Sequence, residues 1–152
     1  MPCPPLKTVM QQKIYLSFDG GTTKVELIEA FGIVLSQLSK DTYNQATNNS
    51  GRLTYNVPTT GTNGPMTFSL QYNPLDMVHV ALIAAGNTLA GDAQKCWVNA
   101  QISDFGVLAH EFDGWVSITA MPSSETKAMI YAVEITPCLA VNRVATAYIP
   151  PP

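Results

Sequence analysis

Apolar and polar residues alternate cleanly along several short stretches of the chain. In "KIYLSF" (Lys13–Phe18), Ile14, Leu16 and Phe18 alternate with Tyr15 and Ser17. In "MTFSLQY" (Met66–Tyr72), Met66, Phe68, Leu70 and Tyr72 fall on one side, and Thr67, Ser69 and Gln71 on the other. A period of two marks a half-buried strand. "KVELIEA", "GIVLSQLS" (Gly32–Ser39), "KCWVNAQIS" (Lys95–Ser103), "GVLAHEFDGWVSIT" (Gly106–Thr119) and "KAMIYAVEI" (Lys127–Ile135) read as further strands, though Leu35 and Leu38 are also spaced for a helix. "DGGTT" after the first stretch and "MPSSET" (Met121–Thr126) read as turns.

One segment breaks this rhythm. "NPLDMVHVALIAAGN" reads as a helix, with Asn73 as its cap and Pro74 at its first position. Asp76 falls in the first turn, where it favours the positive end of the helix dipole. Gly86 and Asn87 terminate it. Its body, Leu75–Ala85, is apolar nearly all round apart from His79, and such a helix is buried on more than one side. One side can pack on a sheet. The other can meet a neighbouring subunit, with Val78 and Leu82 as the candidate interface residues. The expectation is a single domain over 1–152. It is mainly β, a sandwich or barrel of six to seven strands flanked by one α-helix.

Between the third and fourth strand-like stretches lies a long polar segment, 40–65, containing "NNSGRLTYNVPTTGTNGP". Compact domains join strands with about 2–5 residues. The centre of this one, Arg52, Leu53, Tyr55 and Val57, has strand character between the breakers Gly51 and Gly61. It reads as an assembly loop whose middle can add to a foreign sheet edge. In a free subunit it has too few apolar partners to stay ordered. The ends, 1–12 with "PCPP" and 142–152 with "IPPP", read as an N-terminal arm and a Pro-rich tail, because proline cannot donate to a sheet ladder.

Composition sharpens the picture. Charged residues make up 12% of the chain, against roughly 25% in ordinary soluble proteins. A surface this poor in charge suggests cover by other subunits. The net charge is −3, and the eight Lys plus Arg do not cluster, which argues against gripping DNA phosphates. No apolar run approaches the ~18 residues of a membrane span, and the N-terminal stretch has no apolar signal region, so secretion is not expected. Cys3, Cys96 and Cys138 are too scattered for a disulfide framework or a zinc cage; Cys96 and Cys138 read as buried free thiols.

Candidate chemistry is sparse. "IYLSFDGGTTK" resembles the phosphate loop of sugar and acetate kinases, but those need a longer two-domain α/β chain, and a hairpin turn explains Asp-Gly-Gly better. His79 and His110 stand alone. There is no H-E-x-x-H pair and no G-x-S-x-G elbow. Glu111 and Asp113 share one side of a strand, a spacing that suits acid/base work and equally a solvated face. No enzyme activity and no cofactor are expected.

"FDGWVSITAMPSSETKAMIYAVEITPCLAV" (Phe112–Val141) resembles the C-terminal part of the tube-forming domain in lambda-like phage major tail proteins, with Phe112, Gly114, Trp115, Val116 and Ser117 matching an aromatic-x-Gly-Trp-Val-Ser strand. "TFSLQYNP" (Thr67–Pro74) followed by an apolar helix resembles the same family. The resemblance implies a β-sandwich with a flanking helix, six copies in a ring, and rings stacked into a tail tube in the virion. It implies a tape measure protein and a tail terminator as partners, and DNA passing through the lumen without specific binding. Some of Asp92, Asp104, Glu111 and Asp113 would then line an acidic lumen that repels DNA. The rival readings are another virion ring protein such as a tail terminator, a secretion-system tube protein, or a monomeric β-sandwich module binding ligand through Trp97 and Trp115.

Overall fold

The computed structural model of the protein describes residues 12–45, 55–89, 91–101, 108–120 and 129–152. The fold is mainly β with one helix. Its strands are β1 (Ile14–Ser17), β2 (Val25–Leu27), β3 (Ala30–Val34), β4 (Leu38–Gln45), β5 (Tyr55–Asn63), β6 (Met66–Gln71), β7 (Lys95–Gln101), β8 (Leu108–Ala120), β9 (Ile130–Pro137) and β10 (Asn142–Thr146). Helix α1 (Met77–Gly86) follows β6, and a short 3-10 turn, Gly91–Gln94, leads into β7. Eight strands form one antiparallel sheet in the order β2-β1-β7-β8-β9-β6-β3. The eighth, β10, lies beside β9 on the same edge of the long strand β8. β4 and β5 form a separate two-stranded sheet.

Among the described residues the strands exceed the six or seven expected, because β5 and β10 lie in segments read as a loop and a tail and because two neighbouring stretches break to give β2, β3 and β4. "KVELIEA" breaks at Ile28–Glu29, where Glu29 adopts a left-handed φ of 63°. "GIVLSQLS" ends one strand at Val34 and begins another at Leu38. That first break shapes the whole sheet. β2 and β3 stand at opposite ends of the strand order, yet only Ile28 and Glu29 separate them in sequence. The sheet must therefore curl until its two ends approach.

The apolar side of this curl is the core. Ile14 and Leu16 of β1, Cys96 and Val98 of β7, Phe112 and Val116 of β8, Val133 and Ile135 of β9, and Met66, Phe68 and Leu70 of β6 all point into it. The period-two pattern of β6 is realised directly: Met66, Phe68 and Leu70 are buried, while Thr67 and Ser69 are half-buried. In the Phe112–Ser117 motif, Gly114 faces inward. A Cβ there would lie 2.5 Å from Ile135 Cγ2 and 3.0 Å from the Phe112 ring, so only glycine lets those two pack.

Helix α1 covers the core through Leu82, Ala85 and His79. Its start is Asp76 rather than Asn73: the Asp76 carboxylate accepts from Val78 N–H at 2.9 Å. Asn73 caps the preceding turn, accepting from Leu75 N–H at 3.0 Å. His79 is fully buried. Its Nδ1 accepts from Asn73 N–H at 3.0 Å, so Nε2 carries the proton and donates to Ile28 O at 2.8 Å. The ring thus ties the helix to the β2–β3 corner, a structural role.

"DGGTT" connects β1 to β2, which pair antiparallel, but through a longer connection than a two-residue hairpin. Gly20 and Gly21 take positive φ (75° and 90°). Asp19 Oδ1 accepts from Ser17 Oγ at 2.7 Å and from Thr23 N–H at 2.8 Å. The Ser17 bond first, then the Thr23 bonds, hold its carboxyl down to about 2. The carboxylate is spent on closing its own turn.

Candidate assembly interface

Leu38–Gln45 and Tyr55–Asn63 are paired strands, where the sequence suggested a loop over 40–65. β4 and β5 run antiparallel from Leu38↔Asn63 to Gln45↔Tyr55. Thr42, Tyr43, Tyr55 and Val57 favour extended backbone. The register shifts between Lys40 and Thr42, and Pro58 sits opposite Thr42 beside that bulge. A bulge on an edge strand is where a sheet tolerates proline. Tyr55 and Val57 pair with Gln45 and Tyr43; Arg52 and Leu53 lie outside the described residues. Among the described residues the hairpin has no other sheet partner, so both of its outer edges are free.

The base of the hairpin is bolted to the main sheet. Ser36 is buried, and its Oγ donates to Gly64 O at 2.6 Å, while Gly64 N–H donates to Gln37 O at 2.7 Å. Arg143 of β10 donates through Nη1 to Ser36 O and through Nη2 to Asn63 Oδ1 at 2.7 Å. His110 is the neighbouring titratable group. Burial, then the Arg143 charge, pull its pKa down, and its buried Nδ1 has no hydrogen-bond partner.

The helix interface residues need correction. Leu82 is fully buried and Val78 packs partly buried against the core, because both lie on the stripe that includes Ala85. The outward apolar residues are Met77, 78% exposed, and Val80, with Leu75 (89% exposed) just ahead of the helix. The apolar circumference noted in the sequence is real, but its outward part runs through Met77 and Val80 instead of Val78 and Leu82.

The candidate lumen acids do not form one group. Glu111 and Asp113 share the outer face of β8, opposite Asn99 and Trp97 of β7. Glu111 accepts from Trp97 Nε1 at 3.0 Å. Asp113 is exposed. Asp92 is also exposed, 3.9 Å from Lys95 Nζ. Asp104 lies outside the described residues. Asp92 and Asp113 line one small cavity of about 260 Å³ that Asp19 and Lys95 share.

The C-terminal end is a strand and a strap rather than a free tail from 142 onward. Asn142–Thr146 pairs with β8. At its last residue Asn99 Nδ2 donates to Thr146 O at 3.2 Å, and beyond it Tyr148 N–H donates to Asn99 Oδ1 at 3.1 Å. Tyr148 meets Tyr15 edge-on at 5.0 Å, and Lys24 Nζ lies 4.9 Å from both the Trp97 and Tyr148 rings. This cover explains why β1 is buried on both faces instead of half-buried. Trp97 and Trp115 do share the outer face, but Lys24 and Lys95 sit over them in turn. Cys96 is buried, which pushes its thiol pKa up. Cys138 is only partly buried, with a smaller cover that acts in the same direction.

No protein-family model and no curated protein sequence matches the chain. Solved structures do share its fold. A chain from the tail of an empty GTA particle, determined by helical refinement with C6 symmetry, superposes with a TM-score of 0.65 at 14% identity, covering 88% of this chain and 95% of that one. A chain from the six-fold symmetrised anti-feeding prophage (AFP) baseplate superposes with a TM-score of 0.59 at 7% identity, covering 93% and 96%. At these identities the likeness is one of fold.

Proposed function

We propose that the protein is a structural, non-enzymatic subunit of a phage-type tail, forming hexameric rings that stack into a tube through which DNA leaves the virion. The observation that carries this reading is the shared fold, over nearly the whole chain, with chains of tail and baseplate particles of six-fold symmetry. Three features support it. The β4–β5 hairpin forms a sheet of its own. The helix presents Met77 and Val80 outward. The low charge fraction suits a surface covered by neighbours. In this reading a tape measure protein occupies the tube during assembly and a tail terminator ends it. DNA transits without specific binding, and Asp92 and Asp113 are the exposed candidates for an acidic bore.

The likeness to a baseplate chain favours a second reading, a ring at the tail end rather than along the tube, or a tube of a related injection apparatus. A monomeric ligand-binding module is the reading from another class. Light scattering on the purified protein separates them. Ring subunits give a six-fold mass or its multiples, whereas a constant monomer mass across concentrations rejects the ring readings.

A further inference from the structure

We propose that the outer face of β7 is a peptide-recognition groove. Its resident ligand is the chain's own segment 146–149, and with that segment unlatched it takes an extended peptide in which a small uncharged residue precedes a tyrosine. The ladder of β10 ends at Thr146. Side chains of β7, rather than another strand, hold the backbone from there on. Asn99 Nδ2 donates to Thr146 O at 3.2 Å, and Asn99 Oδ1 accepts from Tyr148 N–H at 3.1 Å. Gln101 Nε2 donates to Tyr148 O at 3.4 Å. A side-chain amide carries the same donor and acceptor as a peptide group. Asn99 therefore stands in for a neighbouring strand and reads the backbone on either side of Ala147. Such contacts select an extended chain, as pairing with a sheet edge does.

Two side chains of the segment give the groove a sequence preference. Ala147 is buried between the two Asn99 bonds, so a charged side chain there would be buried without a partner. Tyr148 stands edge-on to Tyr15 at 5.0 Å and to Trp97 at 6.3 Å, a geometry that contributes beyond buried area. Lys24 Nζ, 4.9 Å from both the Trp97 and Tyr148 rings, joins groove to ligand through cation–π contact. The grip ends there, with Ile149 77% exposed. The floor under the segment is polar: Asn99 and Gln101 are buried there, whereas the apolar core lies on the other face of the sheet. Water can satisfy both amides when the segment leaves, so opening strands no buried polar group. A cavity of about 300 Å³ remains between the segment and Lys24, Trp97, Asn99 and Glu111. The two surfaces are therefore not close-packed as a core is.

A fluorescein-labelled synthetic peptide of residues 144–152, titrated with the full chain and followed by anisotropy, tests this. Two variants unlatch the segment: Tyr148→Ser, and Ala147→Asp as an independent form. Circular dichroism checks that each keeps the wild-type fold. Both should bind the peptide. The wild type should bind it roughly tenfold more weakly or worse, because its own tethered segment competes at an effective concentration of about millimolar. The same peptide with alanine in place of its tyrosine should bind none of them. Adding Asn99→Ala to Tyr148→Ser should abolish binding and leave the fold intact. Folded unlatched variants that bind no peptide overturn the inference. So does a wild type that binds as tightly as they do, equal binding of the alanine peptide, or binding that survives the loss of Asn99. Unlatched variants that both fail to fold also overturn it, since the segment is then part of the domain's structure instead of a ligand. The groove lies within one subunit, so none of these outcomes bears on the ring reading.

Discussion

Arg143 and Asn63, 80 residues apart in sequence, meet at 2.7 Å, with the guanidinium Nη2 donating to the Asn63 side-chain oxygen. The other arm of the same guanidinium donates to the Ser36 carbonyl. One side chain from the last strand therefore fixes both legs of the hairpin. Arg143→Ala should cost about 1.5–3 kcal/mol, the range for hydrogen bonds to a charged group. It should also speed hydrogen exchange at the Gly64 amide while β7 and β8 remain protected. Arg143→Lys should restore little, because one ammonium cannot reproduce a fork aimed at two acceptors. Exchange measured by mass spectrometry checks this, and unchanged protection at the hairpin base would remove Arg143 from the clamp.

The helix separates core from interface residue by residue. Leu82→Ala should cost about 2–5 kcal/mol in denaturant unfolding, as buried leucines do. Met77→Glu and Val80→Glu should leave monomer stability within about 0.5 kcal/mol, the usual range for surface changes, and weaken assembly. Assembly unaffected by either Glu variant would show that this face stays in solvent.

Gly114 is set by close approach. Gly114→Ala places a methyl against Ile135 and Phe112 and should cost about 1–3 kcal/mol by overpacking. In a double-mutant cycle with Ile135→Ala the two costs should not add, because the second change removes the atom that the new methyl meets. Strict additivity would contradict this packing.

His110 gives a pH dependence of definite sign. Burial first, and Arg143 second, lower its folded-state pKa below the ordinary 6.5. The unfolded chain therefore binds more protons in the window just below 6.5, so stability is fully present above that pH and falls as the solution is acidified. Thermal unfolding between pH 7.5 and 5 should show this loss in the wild type and less of it in His110→Gln. Equal slopes in the two proteins would remove His110 as the source. The Asp19 carboxyl, held at about 2, titrates far below that window and should contribute only under strong acid.

Much of the fold was legible because a sheet with one buried face writes a period of two. Met66, Phe68 and Leu70, and the inward Phe112, Gly114 and Val116, follow it directly. The hairpin was legible only as an anomaly. Its strands carry Thr, Asn, Gln and Tyr without a sustained apolar alternation, and apolar alternation is the signal by which a strand is read. The β2–β3 corner was missed because Glu29 holds a left-handed turn that glycine or asparagine would have advertised. The helix began later than expected because two side chains, Asn73 and Asp76, compete as caps and the second one wins. The C-terminal strap left no local mark at all. Tyr148 matters through Tyr15, Asn99 and Trp97, which are distant in sequence.

Electron microscopy of the concentrated wild-type protein tests the central claim most directly. The expected images are end-on rings with six-fold symmetry and side views of those rings stacked into tubes. A field of separate single subunits at every concentration would contradict the claim.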